Sequence, residues 1–242
     1  MVKRTIRACV FDLGNTLIND SLLSTNAAED MSRWLQEREL ISSREDFLTT
    51  FRRINYGTNK PFISHTFGEA EFFQKTFDEL GVKAISAEEA LKTYRNLLLT
   101  RIEPDPGIAE TFKFLRDKGI RIALLSNERT IRVDSYLEKT KLGPCFDAIV
   151  VSESIGVEKP DRRAFQEVLT RLDVRGDEAA MFGDNLIADG ASRELGFLFV
   201  LVTAYLNRDW VWEEGQPYKP DHVMGKITPA DMAEFLSWSA AN

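Results

Sequence analysis

Histidine and cysteine are scarce in this chain of 242 residues: two of each, His65 and His222, Cys9 and Cys145. Two imidazoles exclude a histidine-built metal or acid–base cluster. Two thiols suggest neither a disulfide framework nor a zinc site, and Cys9, inside an apolar run, is expected to be an isolated buried thiol. Long hydrophobic runs are missing too. The apolar run from Phe197 to Ala204 covers eight residues, far short of the ~20 needed to span a bilayer, so no membrane partner is expected. The basic start Met1-Val2-Lys3-Arg4 leads into an apolar stretch that stops at Asp12 without a cleavage-like site, so no secretory signal is expected and the cytoplasm is the default location. Positive charge is in deficit. Lys+Arg of 31 against Asp+Glu of 38 gives a net charge of −7, which argues against a nucleic-acid backbone as partner.

What is present is ordinary soluble-protein composition, 43% hydrophobic and 29% charged, in a length that allows one full domain plus a smaller one. Ala8 to Phe11 reads as a central parallel strand. From Ile18 to about Pro104 the period becomes helical. Met31, Trp34 and Leu35 share a face, as do Phe47, Phe51 and Ile54, then Phe72, Phe73, Phe77 and Leu80, then Leu91, Tyr94 and Leu98. Four helices follow, with breaks near Ser42-Ser43, Gly57 to Ser64 and Gly81 to Ser86, and the aromatic stripes belong to the core of a helical bundle. Pro104 to Gly107 reads as a linker.

Beyond it, helix and strand alternate. Helices are expected at 108–118, 130–141, 161–172, 188–195 and 229–238, and strands at 122–125, 148–152, 180–182, 198–202 and near 222–224. The stretch around Trp210, Trp212 and Tyr218 has no readable period. The alternation predicts an α/β fold with a parallel sheet covered by helices.

Four strand ends or helix starts carry chemistry. Asp12 lies at the carboxyl end of the first strand, where a side chain is open to ligand, and Gly14 and Asn15 allow a tight turn before the hydroxyl of Thr16. Leu124-Leu125-Ser126-Asn127 ends the next core strand with a hydroxyl and an amide. Glu158-Lys159-Pro160-Asp161 sets a lysine at the start of a helix with Asp161 as its N-cap. Met181-Phe182-Gly183-Asp184 ends a third strand, and Asp189 follows five residues later. Two acids near one strand end repel each other, and a hard divalent cation such as Mg²⁺ resolves that repulsion.

In this order the four segments resemble the four motifs of the haloacid dehalogenase superfamily, over Ala8 to Asp189. The resemblance implies a Rossmann-like core with strand order 5-4-1-2-3 plus a possible extra strand, at 1–17 and 105–242, and a helical cap of the C1 type at 18–104. It implies Asp12 as nucleophile, Lys159 as the balancing charge, and Ser126, Asn127 and Thr16 around the phosphoryl group. Mg²⁺ would be held by Asp12, the Gly14 carbonyl and Asp184, with Asp189 a ligand or a support behind the ligands. The substrate would be a small phosphorylated metabolite, attacked to give an aspartyl-phosphate on Asp12.

Gly14 departs from the family pattern, which has a second Asp there. The carbonyl is kept and the side-chain acid is lost, so leaving-group protonation and water activation should suffer unless another group substitutes. Dehalogenases and phosphonatases of the superfamily also lack that Asp, and both chemistries stay open. Dehalogenases do not need the acidic pair at 184 and 189, and a phosphonatase needs a cap lysine, for which Lys60 is available. A catalytically weak phosphometabolite-binding protein is the reading from another class. Arg52, Arg53, Tyr56, Lys60 and His65 are the cap residues that could face a substrate.

Overall fold

The computed structural model describes residues 4–56, 69–103, 105–206 and 217–241. The chain divides into two compact units, Met1–Ser21 with Glu103–Asn242, and Leu22–Ile102.

The first unit is built on β1 (Ala8–Phe11), β2 (Arg121–Ser126), β3 (Ala148–Val151), β4 (Ala179–Gly183), β5 (Leu198–Val202) and β6 (His222–Met224). All pairings are parallel, and the order is β3-β2-β1-β4-β5-β6. That is the expected core order with β6 as the additional edge strand. Side chains alternate across the sheet. Ala8 and Val10 face a cluster with Phe165, Val168, Leu169 and Leu172. On the other face the Phe11 ring stacks on Phe182 at 4.9 Å and tilts against Phe112 at 5.2 Å, and Phe235 meets Phe182 edge-on. Each fully buried phenylalanine contributes roughly 1.5–3 kcal/mol of apolar burial, so the strand carrying Asp12 is held firmly from both sides.

The helical unit comprises α1 (Asp20–Glu37), most of which lies within it, α2 (Arg44–Tyr56), α3 (Glu69–Leu80) and α4 (Ala87–Thr100). Met31, Leu35, Phe47, Phe51, Phe73, Phe77 and Ala90 form its core, with Tyr94 packed against it. The aromatic stripes are therefore packing residues. The break expected at Gly57 to Ser64 lies outside the described residues, as do Trp210 and Trp212.

The core helices are α5 (Pro106–Asp117), α6 (Thr130–Thr140), the single turn α7 (Ser152–Ile155), α8 (Arg162–Leu172) and α9 (Pro229–Ala241). Two expectations need correcting. Pro106 and Gly107 are not linker: Asp105 caps α5 by accepting from the Gly107 N–H, and Pro106 occupies the first turn, where its missing N–H costs nothing. The helix expected at 188–195 is a 3₁₀ segment, Gly190–Leu195, because glycine at both flanks weakens a full α-helix. Among the described residues no helix is long and apolar enough to cross a membrane. Cys9 is a free, fully buried thiol, and burial pushes its pKa up.

Candidate active site

Parallel register brings the motif segments together. Phe11 pairs with Leu124 on one side and Phe182 on the other, so Asp12 emerges between Ser126-Asn127 and Asp184. The Asp12 N–H donates to the Phe182 carbonyl at 2.9 Å. After it the chain folds into a turn in which the Leu13 carbonyl accepts from the N–H groups of Leu17 and Ile18 at 2.9 and 3.1 Å. Asn15 takes a left-handed φ of 52°, which asparagine tolerates, and its side chain accepts from the Ser21 N–H and hydroxyl at 3.0 Å.

Both oxygens of Asp12 are directed. Lys159 Nζ donates to Oδ1 at 2.6 Å, and the Thr16 hydroxyl donates to Oδ2 at 3.3 Å. Lys159 Nζ also donates to Asp189 Oδ1 at 2.6 Å. The lysine is 2% exposed, and Asp189 1%. Burial alone would lower the Lys159 pKa, but the carboxylates of Asp12 and Asp189 outweigh it and hold the ammonium above its ordinary value. Burial pushes the Asp184 carboxyl well up, with Asp12 and Asp189 adding to the shift. Burial also raises Asp189, against the opposing pull of Lys159.

Oxygens of Asp12, Asp184 and Asp189 lie within 4.8 Å of one another. Three carboxylates stand around one ammonium that contacts two of them, an imbalance that a divalent cation with oxygen ligands would remove. The donor set fits Mg²⁺. Asp189 has Oδ1 on Lys159 and Oδ2 accepting from the Asn185 N–H at 3.0 Å, so its oxygens already have work. Asp12 and Asp184 are the better-placed ligands.

The structure gives other predicted residues particular partners. Asn127 brackets the main chain of Lys159, donating to its carbonyl at 2.8 Å and accepting from its N–H at 2.9 Å, so it acts on the lysine's position. Ser126 Oγ accepts from the Glu128 N–H at 3.1 Å, which leaves its own O–H to donate. Asp161 caps α8 as expected, accepting from the Arg163 N–H. Arg52 pairs with Glu29 at 2.6 Å and Arg53 pairs with Glu79, all within the helical unit. Lys60, His65 and the Tyr56 side chain lie outside the described residues.

Sequence reasoning missed two features. Gly183 is one. A Cβ there would come within 2.1 Å of Asp189 Oδ2, so only glycine lets Asp189 approach the strand end. Gly183→Ala is expected to displace Asp189, cut turnover and lower stability by about 1–3 kcal/mol. Thermal melts and initial rates check this, and wild-type behaviour in both would refute it. The other is a charged group beside Gly14. Asp20 is in close contact with the Arg132 guanidinium, and Glu128 Oε2 stands 3.5 Å from Arg132 Nη1. Glu128 directly follows Ser126-Asn127, and that adjacency is the signal that could have marked it.

Known proteins resemble this chain over most of its length. A family model for haloacid dehalogenase-like hydrolases matches residues 6–192. The chain is 28% identical over 198 residues to a glyceraldehyde 3-phosphate phosphatase of Methanopyrus kandleri, covering 78% of this chain and 80% of the relative. It is 30% identical to a ribulose-1,5-bisphosphate 5-phosphatase of Halopiger xanaduensis, covering 75% and 78%. Among solved structures, the magnesium-bound HAD-hydrolase YfnB of Bacillus subtilis superposes with a TM-score of 0.75 at 19% identity, covering 96% of this chain and 99% of that one. The chain belongs to the haloacid dehalogenase-like hydrolase family.

Proposed function

We propose that this hydrolase is a Mg²⁺-dependent phosphatase acting on a small phosphorylated metabolite through an aspartyl-phosphate on Asp12. One observation carries the reading: a buried lysine clamps the Asp12 carboxylate while two further carboxylates lie within 4.8 Å. Such an arrangement suits a doubly negative group delivered with a cation, and the relatives named as phosphatases support it.

In this reading Asp12 Oδ2 or Oδ1 attacks phosphorus, the phosphorus–oxygen bond to the substrate breaks, and water then cleaves the acyl phosphate. Lys159 balances charge and fixes the carboxylate's rotamer. Thr16 and Ser126 supply hydroxyl donors, and Asn127 holds the lysine main chain in register. Asp12, Asp184 and the Gly14 carbonyl would hold Mg²⁺, with Asp189 bracing Lys159 behind them. When bound, the cation supplies charge neutralisation on the transferring group. The assignment of the core to 1–17 and 105–242 and of a C1 cap to 18–104, with that insert selecting the substrate, belongs to the same proposal. So does residence in the cytoplasm.

Gly14 favours a second reading, hydrolytic dehalogenation of a 2-haloacid. The third carboxylate speaks against it, since carbon–halogen displacement has no use for a cation-binding set. A screen of phosphorylated metabolites, 2-haloacids and a phosphonate, with and without Mg²⁺, tests both. Phosphate monoesters should be hydrolysed only with Mg²⁺. Metal-independent halide release, with phosphate esters untouched, would overturn the proposal.

A further inference from the structure

The turn at Gly14 is bordered by carboxyl groups from elsewhere in the core. A Cβ placed on Gly14 would lie 3.7 Å from Asp20 Cβ, 3.9 Å from Asp20 Cγ and 3.9 Å from Glu128 Oε1. All are ordinary van der Waals separations, so a Cβ would fit at Gly14 in contact with two acidic side chains. The two carboxylates differ in how they are held. Asp20 turns an oxygen onto Arg132 and faces Gly14 with its carbons. Glu128 Oε2 stands 3.5 Å from Arg132 Nη1, and its Oε1 borders the Cβ position at Gly14. Its main chain is tied back, since the Glu128 N–H donates to Ser126 Oγ at the end of the neighbouring strand. An aspartate at position 14 would hold its carboxyl one bond beyond that Cβ. Glu128 Oε1 already borders that volume.

Resting on the phosphatase reading above, we propose that Glu128 supplies the acid–base carboxyl that Gly14 does not. In the first step Asp12 forms a bond to phosphorus, the bond to the leaving oxygen breaks, and the Glu128 carboxyl gives its proton to that oxygen. In the second step the Glu128 carboxylate takes a proton from the attacking water. The water oxygen bonds to phosphorus, and Asp12 leaves as a carboxylate. Asp20 and Arg132 are positioning residues. The guanidinium, in contact with Asp20, pairs with one oxygen of Glu128 while the other borders Gly14.

Rapid-mixing kinetics with Mg²⁺ on para-nitrophenyl phosphate, phenyl phosphate and the best alkyl phosphate of the screen test this. Glu128→Gln should lose ~10²–10⁴-fold on the alkyl ester, because an alkoxide needs a proton to leave. The loss on the nitrophenyl ester should be much smaller in the first step. That ester should then give a burst of nitrophenolate, as the aspartyl-phosphate accumulates without a base to hydrolyse it. Gly14→Asp added to Glu128→Gln should restore part of the alkyl turnover, an effect no structural role for Glu128 explains. Glu128→Asp, which keeps the charge facing Arg132, should lie between wild type and Glu128→Gln, and it carries the test if the Gln variant melts early. Equal losses on all three esters, no burst and no rescue would overturn the proposal. Failure of the phosphatase reading is a separate result: no phosphate on Asp12 in the wild type and full turnover in Asp12→Asn.

Discussion

Asp12→Asn is expected to bring phosphate-ester turnover to background, a loss of more than ~10³-fold. The change keeps the shape of the side chain and removes the negative charge that attacks phosphorus. It also removes the charge from one of the two carboxylates that Lys159 Nζ contacts at 2.6 Å. The fold should survive, because the Asp12 main chain is anchored to Phe182 and the preceding strand is buried on both faces. The measurement is initial rate with Mg²⁺ alongside a thermal melt. Most of the turnover remaining in a folded variant would rule out the covalent step.

Lys159→Met should have the largest effect on stability. The ammonium is the only cation contacting Asp12 and Asp189 among the described residues, and all three side chains are nearly buried. Removing one partner of a buried ionic set costs about 3–5 kcal/mol, or roughly 6–20 °C in melting temperature for a chain of this size. The sign with pH is clear. A lysine whose folded pKa is raised contributes fully below its unfolded value of about 10.4 and loses that contribution only as pH rises further. A neutral buffer therefore shows the whole effect. Turnover should fall at least ~10²-fold. Added Mg²⁺ should narrow the gap in melting temperature, because the cation offsets the carboxylates that the lysine no longer balances. A melt in metal-free buffer matching the wild type would mean that Lys159 balances nothing.

Much of the site could be read from local sequence because it is written at strand ends. A short apolar run closed by a carboxylate and turn residues announces Asp12, and the same grammar announces Ser126 and Asp184. Asp105 and Asp161 cap their helices as such residues do, although Pro106 reads as linker in the sequence because proline breaks helices everywhere except the first turn. The 3₁₀ segment at Gly190 is not separable from an α-helix in the sequence, because the two periods differ little over six residues. Glu128 and Arg132 stand one helical turn apart, but their link to Asp20, far back along the chain, could not be recognised. Charged residues are read as solvated surface unless something brings them together.

The sequence by itself determined the parallel sheet, its order by resemblance, and the identity of the four chemical segments, since these rest on periodicity and on residue types at strand ends. Only the tertiary structure decided who holds whom. It put Asn127 on the Lys159 main chain, left Gly183 bare for Asp189, and placed Glu128 beside Gly14. The first joins the loop after β2 to the loop before α8, the second is a close approach of the loop after β4 to the end of that strand, and the third sets the turn after β1 beside the loop after β2. The last follows from the lateral register of β1 against β2, and all three depend on where loops meet in space, which residue spacing along the chain does not encode.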